Sequence, residues 1–200
     1  MATVISRSAG LRDITRHAVS ARIAAVAVEL FAEHGFDQVT VEQIAAAVGI
    51  SPRSFHRYFP AKEDTVINDP GQYGQAACDA FTARPRTEPV WTSLREAVDV
   101  VLRENVSDSE RGKQIMRIID GSASLRARVL EKHLLWGQLL TPLVAQSLPG
   151  DDVLLRAQTL TKASLVCLGV ALAAWAEPDE TATVSDLLRR TFAAVQPEEC

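Results

Sequence analysis

Apolar residues recur at intervals of three and four along most of this 200-residue chain, which is the period of amphipathic α-helices. The first such stripe contains Val19 and Ile23 and ends at His34-Gly35, where a cation precedes a glycine suited to a left-handed helix end. Residues typical of strands do not alternate in the same way. The pattern predicts an all-α fold whose first helix runs from about residue 13 to residue 34.

Two short helices separated by a tight turn come next in the pattern. Thr40 and Gln43 have the spacing of a capping box, and the apolar stripe that follows predicts a second helix ending at Gly49. Ser51-Pro52 has the order of an N-cap and a proline in the first helical position, which predicts a third helix over residues 52–58. Such a pair packed on a longer helix forms a helix-turn-helix, although the same pattern also occurs with a purely structural role.

The rest of the chain predicts helices separated by breaks. Lys62-Glu63-Asp64 begin a fourth element, and the turn-rich stretch 69–75 (DPGQYGQ) predicts a boundary or kink before a short helix over residues 79–83. Later helices are predicted over 90–105, from a capping box at Ser107 to 119, over 125–147, from 153 to about 176, and over 184–195 after Thr183.

Composition is that of an ordinary globular protein, with 47% hydrophobic and 23% charged residues, so global disorder is excluded. The first residues lack the apolar region of a secretory signal, and the longest nearly apolar run, Ala163–Trp175, is shorter than the roughly 17–25 residues that span a bilayer. We therefore expect a cytoplasmic protein with no membrane partner. Cys78, Cys167 and Cys200 are widely spaced, which fits a reducing compartment and argues against disulfides.

No motif in the sequence indicates catalysis. The four histidines, His17, His34, His56 and His133, are dispersed, and neither a nucleophile motif nor a glycine-rich phosphate loop is present. We expect a protein that is not an enzyme, with no catalytic residue, no metal site and no cofactor.

Positive charge is concentrated around the predicted turn, although the whole chain carries a formal charge of −4. The segment Ser51–Lys62 contains three cations and no acid, and the first helix with its preceding arm adds Arg7, Arg12, Arg16 and Arg22 against Asp13. Cations gathered in this way can neutralise several phosphates. The charge pattern therefore predicts binding to double-stranded DNA through a small part of the chain.

The third helix places suitable side chains on its outer face. When Phe55 is set in the core and each residue is rotated by about 100°, Arg53 and Arg57 lie on the opposite side, with Ser54 and His56 on the flanks. Guanidinium and hydroxyl groups donate hydrogen bonds to base edges, and a helix N-terminus offers backbone N–H groups to phosphate.

The stretch ELFAEHGFDQVTVEQIAAAVGISPRSFHRYFPAKEDTV resembles the DNA-binding domain of the TetR family of bacterial transcriptional regulators. It repeats a helix ending in Gly-Phe, a Thr-Val entry to the second helix, an Ile-Ala-x-x-x-Gly-Ile-Ser turn, and an aromatic-rich recognition helix followed by Phe-Pro-x-Lys-Glu. The resemblance implies an arm and helix start at 1–18, a helix-turn-helix domain at 19–77, and a helical effector-binding and dimerisation domain at 78–200.

The resemblance also implies roles for single residues. Ser51 corresponds to an N-cap that touches phosphate, Arg53 and Ser54 to positions that reach base edges, and Lys62 to a lysine that holds a phosphate. Thr40 corresponds to the cap of the second helix, beside the DNA backbone. Arg53 stands where relatives often have a small residue, and we expect it to bind a guanine through two hydrogen bonds.

Two positions depart from the family pattern. His56 stands where tyrosine is usual, and Tyr58 stands where histidine is common. Both can still bind phosphate through hydrogen bonds, and a protonated His56 would add charge and make the affinity more sensitive to pH. We expect Arg57 to bind the DNA with them, and Arg16 and Arg22 to make weaker backbone contacts.

Beyond Ala77 the resemblance is only architectural. The helices at about 153–176 and 183–195 predict a four-helix homodimer interface, while the alternative is that the first of them is the centre of one monomer's core. An unidentified small-molecule effector is expected among the middle helices. The large or adaptable residues considered for its pocket, although residues of this kind more often belong to a core, are Trp91, Met116, His133 and Trp136.

The function expected from these patterns is that of a dimeric regulator of transcription. In the first hypothesis it is a repressor that binds a palindromic operator and is released by its effector. The alternatives are an all-α small-molecule carrier that keeps the helix-turn-helix only as structure, and a ligand-independent or activating regulator of the same fold.

Overall fold

The computed structural model describes residues 10–67, 70–105 and 109–195. Within these ranges the chain consists of helices, turns and loops without a strand, which confirms the all-α prediction. The arm with Arg7, the helix start predicted at Ser107, and Cys200 lie outside the described residues.

The chain divides into two compact units, Met1–Asn68 and Asp69–Cys200. The first unit contains α1 (Leu11–His34), a 3-10 turn (Phe36–Gln38), α2 (Val41–Val48), α3 (Pro52–Phe55) and a second 3-10 turn (Lys62–Thr65). The second unit contains α4 (Pro70–Thr82), α5 (Val90–Asn105), α6 (Glu110–Gly121), α7 (Ala123–Ala145), α8 (Val153–Trp175) and α9 (Val184–Val195).

The core of the first unit is built from the apolar stripes that the sequence predicts. Ile23 of α1, Ile44 of α2 and Phe55 of α3 are fully buried. Phe31, near the end of α1, is also buried and its ring lies 4.8 Å from that of Phe36, which follows the helix. Each helix of this unit therefore contributes one face to a shared core, and its opposite face lies on the surface of the unit.

In the second unit, α8 packs against α7 and α9 and also contacts α5 and α6. Its inner face includes Leu165, Leu168, Ala171 and Trp175, all of which are buried. The predicted apolar run is thus one part of a 23-residue helix. By length and composition alone this helix could cross a membrane, with a mean hydropathy of 1.4, but its inner face packs against neighbouring helices as a core helix does.

The turn-rich stretch that follows residue 69 is helical, so the prediction of a short helix over residues 79–83 was wrong. Helix α4 begins at Pro70, a position where proline is favoured, and continues through both glycines of the stretch. A Cβ atom at Gly74 would lie 2.9 Å from Leu139 Cδ1 and 3.0 Å from Trp136 Cδ1. The glycine therefore lets α4 approach α7 closely, a requirement that local turn propensity does not reveal.

Other helix ends differ from the predicted ones by a few residues. The N-cap of α6 is Ser109, whose hydroxyl accepts a hydrogen bond from the N–H of Gly112 at 3.3 Å. Helix α3 ends at Phe55 rather than near Tyr58, and α7 begins at Ala123. The two compact units divide after residue 68. Helix α4 packs against α5 and α7 and therefore belongs to the second unit, whereas the resemblance implies a domain boundary after residue 77.

We expect Gly74→Val to lower the free energy of unfolding by about 1–3 kcal/mol, because added methyl groups would force Leu139 and Trp136 out of their packed positions. Chemical denaturation followed by circular dichroism measures the effect. Gly137→Val is the matched control, since it makes the same change inside α7 at a position with no neighbour within 4 Å of the added Cβ. Equal losses in the two variants would show that close packing at Gly74 does not account for the change, since valine has a higher helix propensity than glycine at both positions.

Candidate functional site

The turn between α2 and α3 is fixed by hydrogen bonds that begin and end each helix. Thr40 accepts a hydrogen bond from the N–H of Gln43 at 3.3 Å, and Gln43 Oε1 accepts from the N–H of Thr40 at 2.8 Å, which confirms the capping box. Gly49 ends α2 in the left-handed conformation, with φ 80° and ψ 32°. The N–H of Ile50 then reaches back to the carbonyl of Ala45, as in a Schellman motif.

Helix α3 has four residues and is held by its cap and by one aromatic side chain. Ser51 Oγ accepts a hydrogen bond from the N–H of Ser54 at 3.1 Å, which confirms the predicted N-cap. Phe55 is fully buried, and its ring contacts those of His56 and Phe59, with centroids 5.5 and 5.8 Å away. This anchor places the opposite side of α3 on the surface of the unit.

The side chains expected to contact DNA lie on or near this outer face. The exposed ones are Thr40, Ser51, Arg53, His56 and Arg57, and the half-buried ones are Ser54 and Tyr58. The guanidinium of Arg57 lies 5.9 Å from the Tyr58 ring centroid, and His56 Nδ1 lies 3.3 Å from the carbonyl oxygen of Pro60. The structure thus leaves these side chains wholly or partly accessible, while their roles in DNA binding stay predictions.

The two arginines of α1 differ in what they contact. Arg16 donates a hydrogen bond from Nη2 to the carbonyl oxygen of Arg57 at 3.3 Å, so it connects α1 to the turn that follows α3. Arg22 is exposed six residues further along α1. Arg16 therefore combines a positioning contact with the expected charge, and Arg22 supplies charge.

Lys62 makes contacts inside the first unit that the resemblance does not imply. Its ammonium donates hydrogen bonds to the carbonyl oxygens of Phe36 at 2.8 Å and Val39 at 2.9 Å, and it lies 4.2 Å from the Phe36 ring centroid. Two of its three N–H donors are therefore directed at the loop that leads into Thr40. The contact fixes the start of α2 and gives Lys62 a positioning role, while its expected phosphate contact stays a prediction.

An acid also lies close to the positive surface. Glu42 is in the first turn of α2, where hydrogen bonds from its own backbone N–H and from the Thr40 hydroxyl lower the pKa of its carboxyl group. The carboxylate also interacts electrostatically with His56. Glu42 is therefore ionised at neutral pH and offsets part of the positive charge beside α3.

In the second unit, the four residues considered for an effector pocket occupy different environments. The indole N–H of Trp91 donates to the carbonyl of Phe192 at 3.2 Å, and the two rings lie 4.4 Å apart, so Trp91 fastens α9 to α5. Met116 is half-buried and packs against the core from α6. His133 and Trp136 of α7 are brought together, with ring centroids 6.4 Å apart.

A lysine that the sequence analysis did not single out lies beside His133 and Trp136. Lys132 Nζ is 5.1 Å from the Trp136 ring centroid and 4.9 Å from that of Tyr73 in α4. Burial lowers the pKa of Lys132 to about 8. Burial and the nearby Lys132 charge lower the pKa of His133 to about 4, so the imidazole is neutral at pH 7. Lys132 and Trp136 are four residues apart on a predicted helix, and side chains at this spacing are neighbours on a helix surface. The sequence could therefore have indicated this pair.

The cysteines and the acidic residues of the described part of the chain offer no redox pair or metal centre. Cys78 and Cys167 are buried, and burial raises the pKa of both thiols. No group of three or more His, Cys, Asp or Glu side chains that could hold a metal ion occurs among the described residues.

Comparison with known protein families gives two matches along the chain. Residues 23–66 match a model of the bacterial regulatory proteins of the tetR family, and residues 88–199 match a model of the MftR C-terminal domain. The first match includes the turn and α3, and the second covers most of the helical second unit.

Similar curated proteins are transcriptional regulators by name. One, named as the mycofactocin biosynthesis transcriptional regulator MftR of Mycobacterium tuberculosis, is 29% identical over 195 residues, which cover 95% of this chain and 93% of that protein. Another, the HTH-type transcriptional regulator TcmR of Streptomyces glaucescens, is 30% identical over 129 residues, or 62% of this chain and 57% of that protein.

Solved structures share the fold at low sequence identity. NalD of Pseudomonas aeruginosa, the secondary repressor of the MexAB-OprM efflux pump, matches with a TM-score of 0.56 and 19% identity over 91% of this chain and 99% of that one. FadR of Thermus thermophilus, a repressor solved with lauroyl-CoA, matches with a TM-score of 0.52 and 20% identity over 87% and 91% of the two chains.

We expect Lys62→Met to lower the free energy of unfolding by about 1–3 kcal/mol, because the carbonyls of Phe36 and Val39 would lose a charged donor while the apolar stem is retained. Chemical denaturation is the measurement. Arg57→Met, which removes the same charge from an exposed side chain, should change stability by less than about 0.5 kcal/mol. A Lys62→Met protein as stable as the Arg57→Met control would contradict the positioning role.

Proposed function

Because the chain belongs to the TetR family of bacterial transcriptional regulators, we propose that two copies bind a palindromic operator, each placing α3 in the major groove of one half-site. The protein is a DNA-binding regulator and not an enzyme. The observation that carries the finer proposal is the arrangement of α3, in which Phe55 is fully buried while Arg53 and Arg57 are exposed on the outside.

The outer face of α3 supports separate roles for its two arginines. Arg53 is in the first turn of the helix, next to the N-terminus that enters the groove in helix-turn-helix proteins. A guanidinium there can bind O6 and N7 of guanine together, and Ser54 lies beside it. Arg57 follows the helix, so it is placed for phosphate, together with Ser51, His56 and Tyr58. In this proposal Arg53 carries sequence preference, and the other side chains set register and affinity.

The second unit supports homodimer formation through α8 and α9. On the face of α8 away from the core, Val166 and Val170 are one turn apart, and 64% and 54% of their respective surfaces are exposed. Gly169 lies between them with no neighbour within 4 Å of an added Cβ, which leaves room for close approach of another helix. Val195, the last residue of α9, is also exposed. These features favour a four-helix interface between two copies.

We further propose that the protein is a repressor in the cytoplasm and that a small molecule bound in the helical second unit releases it from DNA. The similar NalD and FadR proteins are named as repressors, and the FadR structure contains lauroyl-CoA. Release requires only that the effector favours a dimer whose two α3 helices no longer match successive major grooves, which are about 34–36 Å apart. An activator would use the same DNA surface with the opposite effect on transcription.

We expect Arg53→Ala to weaken binding to the selected operator by about 1–3 kcal/mol and to relax the preference at one base pair of each half-site. The operator is obtained by selection from randomised duplexes with the wild-type protein, and each variant is then measured by gel shift on the operator and its single-base variants. Arg57→Ala is the matched control on the same surface, which should weaken binding to all sequences alike. An unchanged preference in Arg53→Ala would remove Arg53 from the reading role.

We expect the double variant Val166→Glu, Val170→Glu to sediment as a monomer and to lose operator binding, because four buried carboxylates would face one another in the dimer. Analytical ultracentrifugation measures the oligomeric state, and circular dichroism measures the helix content. The matched control is Leu130→Glu, Leu134→Glu, which changes two residues of α7 that are each 64% exposed. If the control dissociates and the α8 variant stays dimeric, the interface lies on α7 and the proposed one is wrong.

A further inference from the structure

Lys132 brings a positive charge into an aromatic part of the second unit. Its side chain is half-buried, and its ammonium lies about equally far from the ring of Tyr73 in α4 and from the ring of Trp136 in α7, at 4.9 and 5.1 Å. Trp136 is only 2% exposed and belongs to the main hydrophobic core. The charged group is therefore held between two helices rather than extended into solvent.

No carboxylate in the described part of the chain neutralises this ammonium. Its neighbour Glu131 is 65% exposed at the side chain and accepts a hydrogen bond from Arg128 at 3.0 Å. The other close titratable group, His133, is neutral at pH 7 because its pKa is about 4. Among the described residues, the contacts of Lys132 are thus two aromatic faces, which attract a cation but do not cancel its charge.

A partly desolvated ammonium without an anion is an unfavourable arrangement. Losing water around a charge costs free energy, and cation–π contacts recover only part of it. The lowered pKa of Lys132 reports this cost. A bound anion would remove the cost and would interact with the ammonium more strongly here than in water. The site therefore favours a negatively charged ligand over a neutral ligand of the same shape.

We propose that Lys132, with Tyr73 and Trp136, forms the anion-binding end of an effector site, and that its ligand is an amphipathic acid with one negative charge on an apolar skeleton. The single charge follows from Lys132, the one cation that the described residues place beside both rings, since Arg128 is engaged by Glu131. The apolar skeleton follows from the surroundings, since the half-buried Leu139 lies with Trp136 against Gly74 of α4, the residue next to Tyr73. This inference rests on the proposed function, because it names the ligand class of that effector.

The test compares acids with neutral molecules of the same size. Hexanoate, octanoate and decanoate are each paired with the alcohol of the same chain length, and binding is measured by isothermal titration calorimetry and by tryptophan fluorescence. We expect the wild-type protein to bind at least one acid about tenfold more tightly than its alcohol. Lys132→Met should lose this preference, whereas Lys132→Arg should keep it.

Controls separate loss of the site from loss of the fold. Lys113→Met removes another cation of the second unit, one that donates to the carbonyl of Glu180, and it should leave the preference unchanged. Lys132→Met should melt at or above the wild-type temperature, since it removes a desolvated charge. The proposal is overturned if wild type shows no preference for any acid, or if a folded Lys132→Met protein keeps the wild-type preference.

Gel shifts on the selected operator distinguish this proposal from the function on which it rests. We expect the preferred acid to reduce operator binding by the wild-type protein and to leave Lys132→Met bound. Failure of the wild-type protein to select or bind any operator would overturn the proposed function. In that case, calorimetry with the acids and alcohols would still show whether Lys132 binds an acid. Operator binding without an acid preference would overturn the ligand site alone.

Discussion

The surface proposed to face DNA depends on the burial of one aromatic ring in a helix too short to be stable alone. Isolated helices below about 12–15 residues are marginal in water, and α3 has four. Phe55 is fully buried, so tertiary packing rather than helix propensity determines where α3 lies. The cap at Ser51 and the left-handed Gly49 fix the direction in which the chain enters. The exposed arginines are therefore held by residues on the opposite side of the helix.

The parts of this unit that the sequence predicts are those whose interactions are local. The capping box at Thr40 and Gln43, the end of α2 at Gly49 and the cap of α3 at Ser51 each involve partners within about five residues. The partners of Lys62 lie 26 and 23 positions away, at Phe36 and Val39. No local pattern reports contacts over such distances, so the connection that Lys62 makes inside the unit could not be predicted from the sequence.

The second unit was less predictable because its packing overrides local propensity. Two glycines and a proline near residue 70 are typical of a turn, yet they lie in α4, where Gly74 allows contact with Leu139 and Trp136 of α7. The same contact between helices places Tyr73 near Lys132. A lysine four residues before a tryptophan is visible in the sequence, but the second ring comes from another helix, and its burial follows only from the fold.

The acidic balance of the chain makes the DNA surface and the dimer surface depend on each other. With a formal charge of −4, the protein cannot rely on bulk attraction to phosphate, and its positive groups are few and local. One bidentate hydrogen-bonded contact favours the correct base over a wrong one by about 1–3 kcal/mol. Specific sites, however, are bound more tightly than non-specific DNA by about 4–10 kcal/mol. One α3 presents only Arg53 and Ser54 to base edges in the proposed arrangement. In the proposed dimer, two copies held together by α8 and α9 would double those contacts on one operator, so specific binding would require the exposed valines of α8 as much as Arg53 itself.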